Sequence, residues 1–153
     1  MTNEEYEKLK EFDNLKTKVL KYILYKKRTE KEVRQKFAEN TGNLLDNVIE
    51  YLKQENYIND LSYIEKSINE IQRLKKLSIK EVKYKLLTKG LNSKIVDAYI
   101  YEHKEEMLEY EVNSAKTILI KKANTMEVED IFNYLRRKGY MEETIKIIGE
   151  DYE

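Results

Sequence analysis

The chain has 153 residues, with 29 Lys and Arg balanced by 29 Asp and Glu, thirteen Tyr, four Gly, no Pro and no Cys. The absence of cysteine excludes a disulfide framework, a thiolate zinc finger and a thiol nucleophile, and fits a reducing cytoplasm. Without proline nothing interrupts long helices, and the abundance of Lys, Glu and Leu makes all-α the expected class. The acidic start MTNEEYEKLKEF is no signal peptide, and no apolar run approaches the roughly 20 residues of a membrane span. The expectation is therefore a cytoplasmic monomer without a membrane partner.

The formal net charge of zero hides an alternation. Residues 1–15 sum to −3, 16–36 to +7, 37–70 to −5, 71–94 to +7, 95–115 to −5 and 116–153 to −1. Basic surfaces can thus face an anionic partner on a chain that is not basic overall.

In chain order, Phe12, Leu15, Val19 and Tyr22 recur at helical spacing and predict a first amphipathic helix. TEKEVRQKFAENTG, residues 29–42, predicts a second. There Thr29 and Glu32 have the spacing of a capping box, Val33 and Phe37 form a buried stripe, and Gly42 offers a left-handed stop. LLDNVIEYLKQ, 44–54, predicts a third helix. The pattern returns 49 residues on, with Leu61, Ile64, Ile68 and Ile71 in the first helix and SIKEVKYKLLTKGL, 78–91, in the second. Ser78 and Glu81 form the box, Ile79, Val82 and Leu86 the stripe, and Gly90 the stop; SKIVDAYIYEH, 93–103, follows. The third copy shifts its first stripe to Leu108, Val112, Ala115 and Leu119. Its second helix carries Val128, Ile131 and Leu135 and stops at Gly139, with Glu127 in the hydroxyl's place and Thr125 as the alternative cap. MEETIKII, 141–148, closes it.

This pattern predicts one three-helix unit used three times, over residues 1–59 with an acidic N-terminal extension, 60–104 and 105–153. One such unit is marginal in size for its own core, so neighbours are expected to stack and share burial in an elongated array, free to curve.

Three basic clusters recur around the middle helices. Lys26, Lys27, Arg28, Lys31 and Arg34 form the first, Arg73, Lys75, Lys76, Lys80 and Lys83 the second, and Arg136, Arg137 and Lys138 the third. They are the candidate partner-binding residues, suited to acidic protein surfaces or DNA phosphates; the alternative is an ordinary solvated helix face. Lys85 is likewise free of the apolar stripe. Of the tyrosines, Tyr22, Tyr51, Tyr57 and Tyr99 read as core or core rim, whereas Tyr84 and Tyr63 lie nearer the basic clusters and are candidates for contact. The lone histidine, His103, has no converging ligands in the spacing. No Ser-His pairing or phosphate loop appears, and the many acidic residues read as solvated partners of lysine. Neither an enzyme nor a bound cofactor or metal is expected.

NYINDLSYIEKSI, 56–68, followed by RLKKLSIKEVKYKLLTKGL, 73–91, resembles the central signature of the RecX family. KKRTEKEVR at 26–34 is similar to that family's first repeat and YLRRKGY at 134–140 to its third, so the resemblance covers about residues 15–148. Two positions depart from the pattern: Asn56 replaces the usual glycine before Tyr57, and the glycine usual before the middle repeat's second helix is missing from KKLSIKE. The resemblance implies tandem three-helix repeats and a non-enzymatic regulator of the bacterial RecA recombinase. It would lie on the RecA–DNA filament and limit its extension, ATP turnover and strand exchange. The alternatives are a direct DNA-binding helical module, against which the zero net charge argues, and a helical adaptor for another protein.

Overall fold

The structure is a computed structural model that describes residues 1–40 and 42–152; Thr41 and Glu153, the latter closing the third expected unit, lie outside them. Among the described residues there are nine α-helices and no strand: α1 (Asn3–Tyr25), α2 (Glu30–Lys36), α3 (Leu44–Gln54), α4 (Asp60–Leu74), α5 (Ile79–Thr88), α6 (Ser93–Glu102), α7 (Lys104–Lys122), α8 (Val128–Arg137) and α9 (Glu142–Tyr152). The fold is all-α, as the composition predicts.

Two compact units are present. The first, Met1–Tyr63 with Lys89–Leu91, contains α1 to α3. Its core joins Leu15, Val19 and Ile23 of α1 to Val33, Phe37 and the α3 residues Leu45, Val48, Ile49 and Leu52. The second, Ile64–Thr88 with Asn92–Glu153, is built around α7, which packs against α5, α6, α8 and α9. One part of its core gathers Ala115 and Leu119 with Ile131, Leu135, Tyr140, Ile145 and Ile148.

Both expected capping boxes are present. The Thr29 hydroxyl accepts from Glu32 N at 3.1 Å while Thr29 N donates to Glu32 Oε1 at 3.0 Å. Ser78 and Glu81 repeat the exchange at 3.1 and 3.0 Å. The apolar stripes of α2, α5 and α8 are buried at Val33, Phe37, Val82, Leu86, Ile131 and Leu135.

Tyr51 and Tyr57, expected at the core or its rim, are 38% and 48% exposed, and the helix boundaries and stripes depart from the sequence reading at four places. The second helix does not run to Gly42: it stops at Lys36, because the backbone N and side-chain amide of Asn40 both turn back to the Phe37 carbonyl, each at 3.1 Å. Thr125 does not cap α8; its hydroxyl donates to Lys122 O, and Glu127 stands at the cap without a side-chain hydrogen bond. Leu61 is 49% exposed, so the α4 stripe starts a turn later at Ile64. In α7 the buried face is Met107, Tyr110, Glu111, Ser114, Ala115 and Leu119, rotated from the expected Leu108 and Val112.

Glu111 explains that rotation. It is fully buried, and its carboxylate accepts from Ile79 N (2.8 Å), Met141 N (2.8 Å) and the Thr144 hydroxyl (2.7 Å). One α7 side chain therefore satisfies orphan amides at the starts of α5 and α9, where helix dipoles favour negative charge. Nearby, the Tyr110 hydroxyl donates to Leu77 O at 2.6 Å and accepts from Leu77 N at 3.3 Å. Tyr140 exchanges a 2.7 Å hydrogen bond with Ser114. Burial pushes both phenols above their ordinary range. These contacts pin the 76–79 connection that leads into α5. Asn56 (φ +65°) and Lys75 (φ +49°) hold left-handed backbone in the two stretches where the resemblance expects glycine.

Candidate anion-binding cleft

The start of α5 and the end of α8 meet through one side chain used twice. The Ser78 hydroxyl, already accepting from Glu81 N, donates to Lys138 O at 2.8 Å. Gly139 then passes so close to the Lys80 stem that an added Cβ would lie 2.9 Å from its Cδ and 3.0 Å from its Cβ. With φ at +94°, Gly139 suits both the left-handed stop and the close approach. The same joint occurs 49 residues earlier: the Thr29 hydroxyl donates to Lys89 O at 2.7 Å, and the Lys31 stem crosses Gly90, whose φ is +88°.

Beside the α5–α8 joint lies a cleft of about 470 Å³. Leu77, Tyr84 and Gly139 provide its non-ionic walls, and Lys80, Lys85, Arg137 and Lys138 its cations. Glu81, also in the wall, engages Lys138 at 3.6 Å. Among the described residues Lys80, Lys85 and Arg137 have no ion-pair partner, and Tyr84 is 71% exposed. Three free cations beside an exposed ring, against one carboxylate of which Oε1 is taken by Ser78 N, give a surface that attracts anions.

The sequence candidates separate accordingly. Of the first cluster, Lys27 donates to the Ser62 hydroxyl at 2.5 Å, and Arg34 pairs with Glu30 at 3.1 Å and Asp46 at 2.6 Å. The Arg28 guanidinium stacks over the Tyr22 ring at 4.2 Å, Lys31 lies along Gly90, and Lys26 is exposed. Most of that cluster is engaged by its own unit. In the second, Lys83 pairs with Asp97 at 2.6 Å, while Arg73, Lys75 and Lys76 are exposed and have no ion-pair partner among the described residues. In the third, Arg136 is held by Glu142 at 2.7 Å and Asn133 at 2.9 Å, leaving Arg137 to the cleft beside Lys138. Tyr63, a candidate for contact in the sequence, is buried. His103 stacks on Tyr99 at 4.0 Å and its Nδ1 meets Tyr99 O at 2.8 Å. Among the described residues no group of His, Cys, Asp or Glu is placed to hold a metal, and no helix is long and apolar enough to cross a membrane.

Two ionisable cleft residues, Lys85 and Glu81, lie outside the three basic clusters of the sequence. The signal for both is the repeat: Lys36 and Glu32 occupy the equivalent positions one unit earlier.

No family model matches the chain. Regulatory protein RecX of Clostridium beijerinckii is 31% identical over 137 residues, covering 84% of this chain and 63% of the relative. That of Clostridium acetobutylicum is 28% identical over 136 residues, covering 82% and 62%. That of Staphylococcus haemolyticus is 30% identical over 132 residues, covering 83% and 49%. The chain is a relative of the RecX regulatory proteins. It spans between about half and two thirds of the length of these relatives. Its fold is also that of RecX structures: the crystal structure of RecX from Lactobacillus salivarius superposes with a TM-score of 0.78 at 21% identity, covering 94% of this chain and 97% of that one. A second RecX crystal structure gives 0.76 at 17% identity, covering 92% and 73%.

Proposed function

We propose that the protein regulates a RecA recombinase without catalysing a reaction of its own, by lying on the recombinase–DNA filament and limiting its extension, ATP turnover and strand exchange. The observation that carries this reading is the likeness, over most of the chain, to proteins described as regulatory protein RecX. The α5–α8 cleft adds a surface of the right charge, with Lys80, Lys85 and Arg137 able to meet filament phosphates or recombinase carboxylates. Occupancy requires positioning and charge rather than a reacting group.

The test is ATP hydrolysis by RecA on single-stranded DNA, titrated with the protein. Turnover is expected to fall as the protein approaches stoichiometry with the filament, and Lys85→Glu with Arg137→Glu is expected to relieve that inhibition. Unchanged turnover at stoichiometric excess would overturn the reading.

A further inference from the structure

We propose that the α5–α8 cleft is a subsite for single-stranded nucleic acid, with a base stacked on Tyr84 and the flanking phosphates on Lys80, Lys85 and Arg137. The inference rests on the reading of this cleft as a surface that meets a DNA-bearing partner, and adds that the protein touches the strand itself. Three observations carry it. Tyr84 presents an exposed ring beside unpaired cations, the combination that binds unpaired bases with little regard to sequence. The volume of about 470 Å³ lies toward the small end of ligand sites, the scale of a single flipped-out base and not of a paired one.

The third observation is the carboxylate. Glu81 Oε1 is occupied by Ser78 N, while Oε2 meets only Lys138, at 3.6 Å. An acidic peptide would bring its own carboxylates against Glu81, whereas a nucleobase brings amino hydrogens, which a glutamate accepts well from cytosine. The chemistry therefore favours a strand over an acidic peptide and, among pyrimidines, cytosine over thymine.

The experiment is fluorescence anisotropy of labelled oligo-dC and oligo-dT with the full chain, at low salt and without recombinase. The chain is expected to bind oligo-dC measurably more tightly than oligo-dT. Tyr84→Ala is expected to weaken binding about five-fold or more, while Tyr84→Phe, which keeps the ring, holds it near the parent value. Lys85→Glu with Arg137→Glu is expected to abolish binding, with circular dichroism melts showing that each variant folds. Absence of binding, indifference to these substitutions, equal affinity for the two pyrimidines, or displacement by an equimolar Glu-rich peptide would each overturn the proposal. If RecA turnover is still inhibited when oligonucleotide binding is absent, the subsite alone is overturned and the regulatory reading stands.

Discussion

Glu111 is fully buried without an ion-pair partner among the described residues, its side chain satisfied by two backbone amides and a hydroxyl. Replacing it by leucine, similar in size, strands all three donors and is expected to cost about 3 kcal/mol in a urea melt, whereas glutamine, which retains one acceptor oxygen, should cost roughly half as much. Glu30 works in the opposite setting, at a half-buried site in the first unit. Burial alone would raise its carboxyl, but the hydrogen bonds and charges of Lys53 and Arg34 outweigh that and hold it below its ordinary value of 4.5. A lowered folded value means the contribution is complete above about pH 4.5 and is lost as pH falls through the folded value. Glu30→Gln should therefore cost up to about 1 kcal/mol at neutral pH, discounted for partial exposure. The gap from the parent is expected to close as urea melts are repeated at progressively more acid pH.

At the scale of elements, the two joints and the left-handed stops predict an order of stabilities. Gly42→Ala meets only backbone strain, since nothing lies within 4 Å of an added Cβ, and should cost about 1 kcal/mol. Gly90→Ala and Gly139→Ala add the collision with a lysine stem and should cost about 2–3 kcal/mol in thermal melts. Conversely, Glu127→Ser gives α8 the cap hydroxyl it lacks and should gain about 1 kcal/mol. These elements also mark what the sequence makes legible. Capping boxes, stripes and glycine stops depend on neighbours three to four residues apart, so Thr29, Val82 and Gly139 could be read directly. The joints depend on the remaining hydrogen bond of the Thr29 and Ser78 hydroxyls, to partners 60 residues away, and no local spacing announces that. The register of α7 is hidden for a related reason: Glu111 looks like a solvated acid until the helix starts it serves are in place. The cleft shares that limit, because Lys85 and Arg137 lie far apart in sequence and meet only once α5 and α8 are docked.

For the whole molecule, a neutral total is reconciled with an anion-attracting surface by how cations are used. Lys27, Arg34, Lys83 and Arg136 are engaged within their own units, while Lys80, Lys85 and Arg137 stay unpaired together in the cleft wall and Arg73, Lys75 and Lys76 lie outside it. If three cations contact phosphates, log K for a single strand should fall against log salt with a slope of about −2, not the steeper value that the whole 71–94 segment would give. A salt series of the anisotropy titration measures it. The cap at α8 stands apart from the other two. Inside this chain the hydroxyl half is supplied at Thr29 and at Ser78 and is replaced by Glu127 at the third cap. With a carboxylate where Thr29 and Ser78 carry a hydroxyl, the start of α8 has nothing to donate onward, so the joint made twice has no third instance among the described residues.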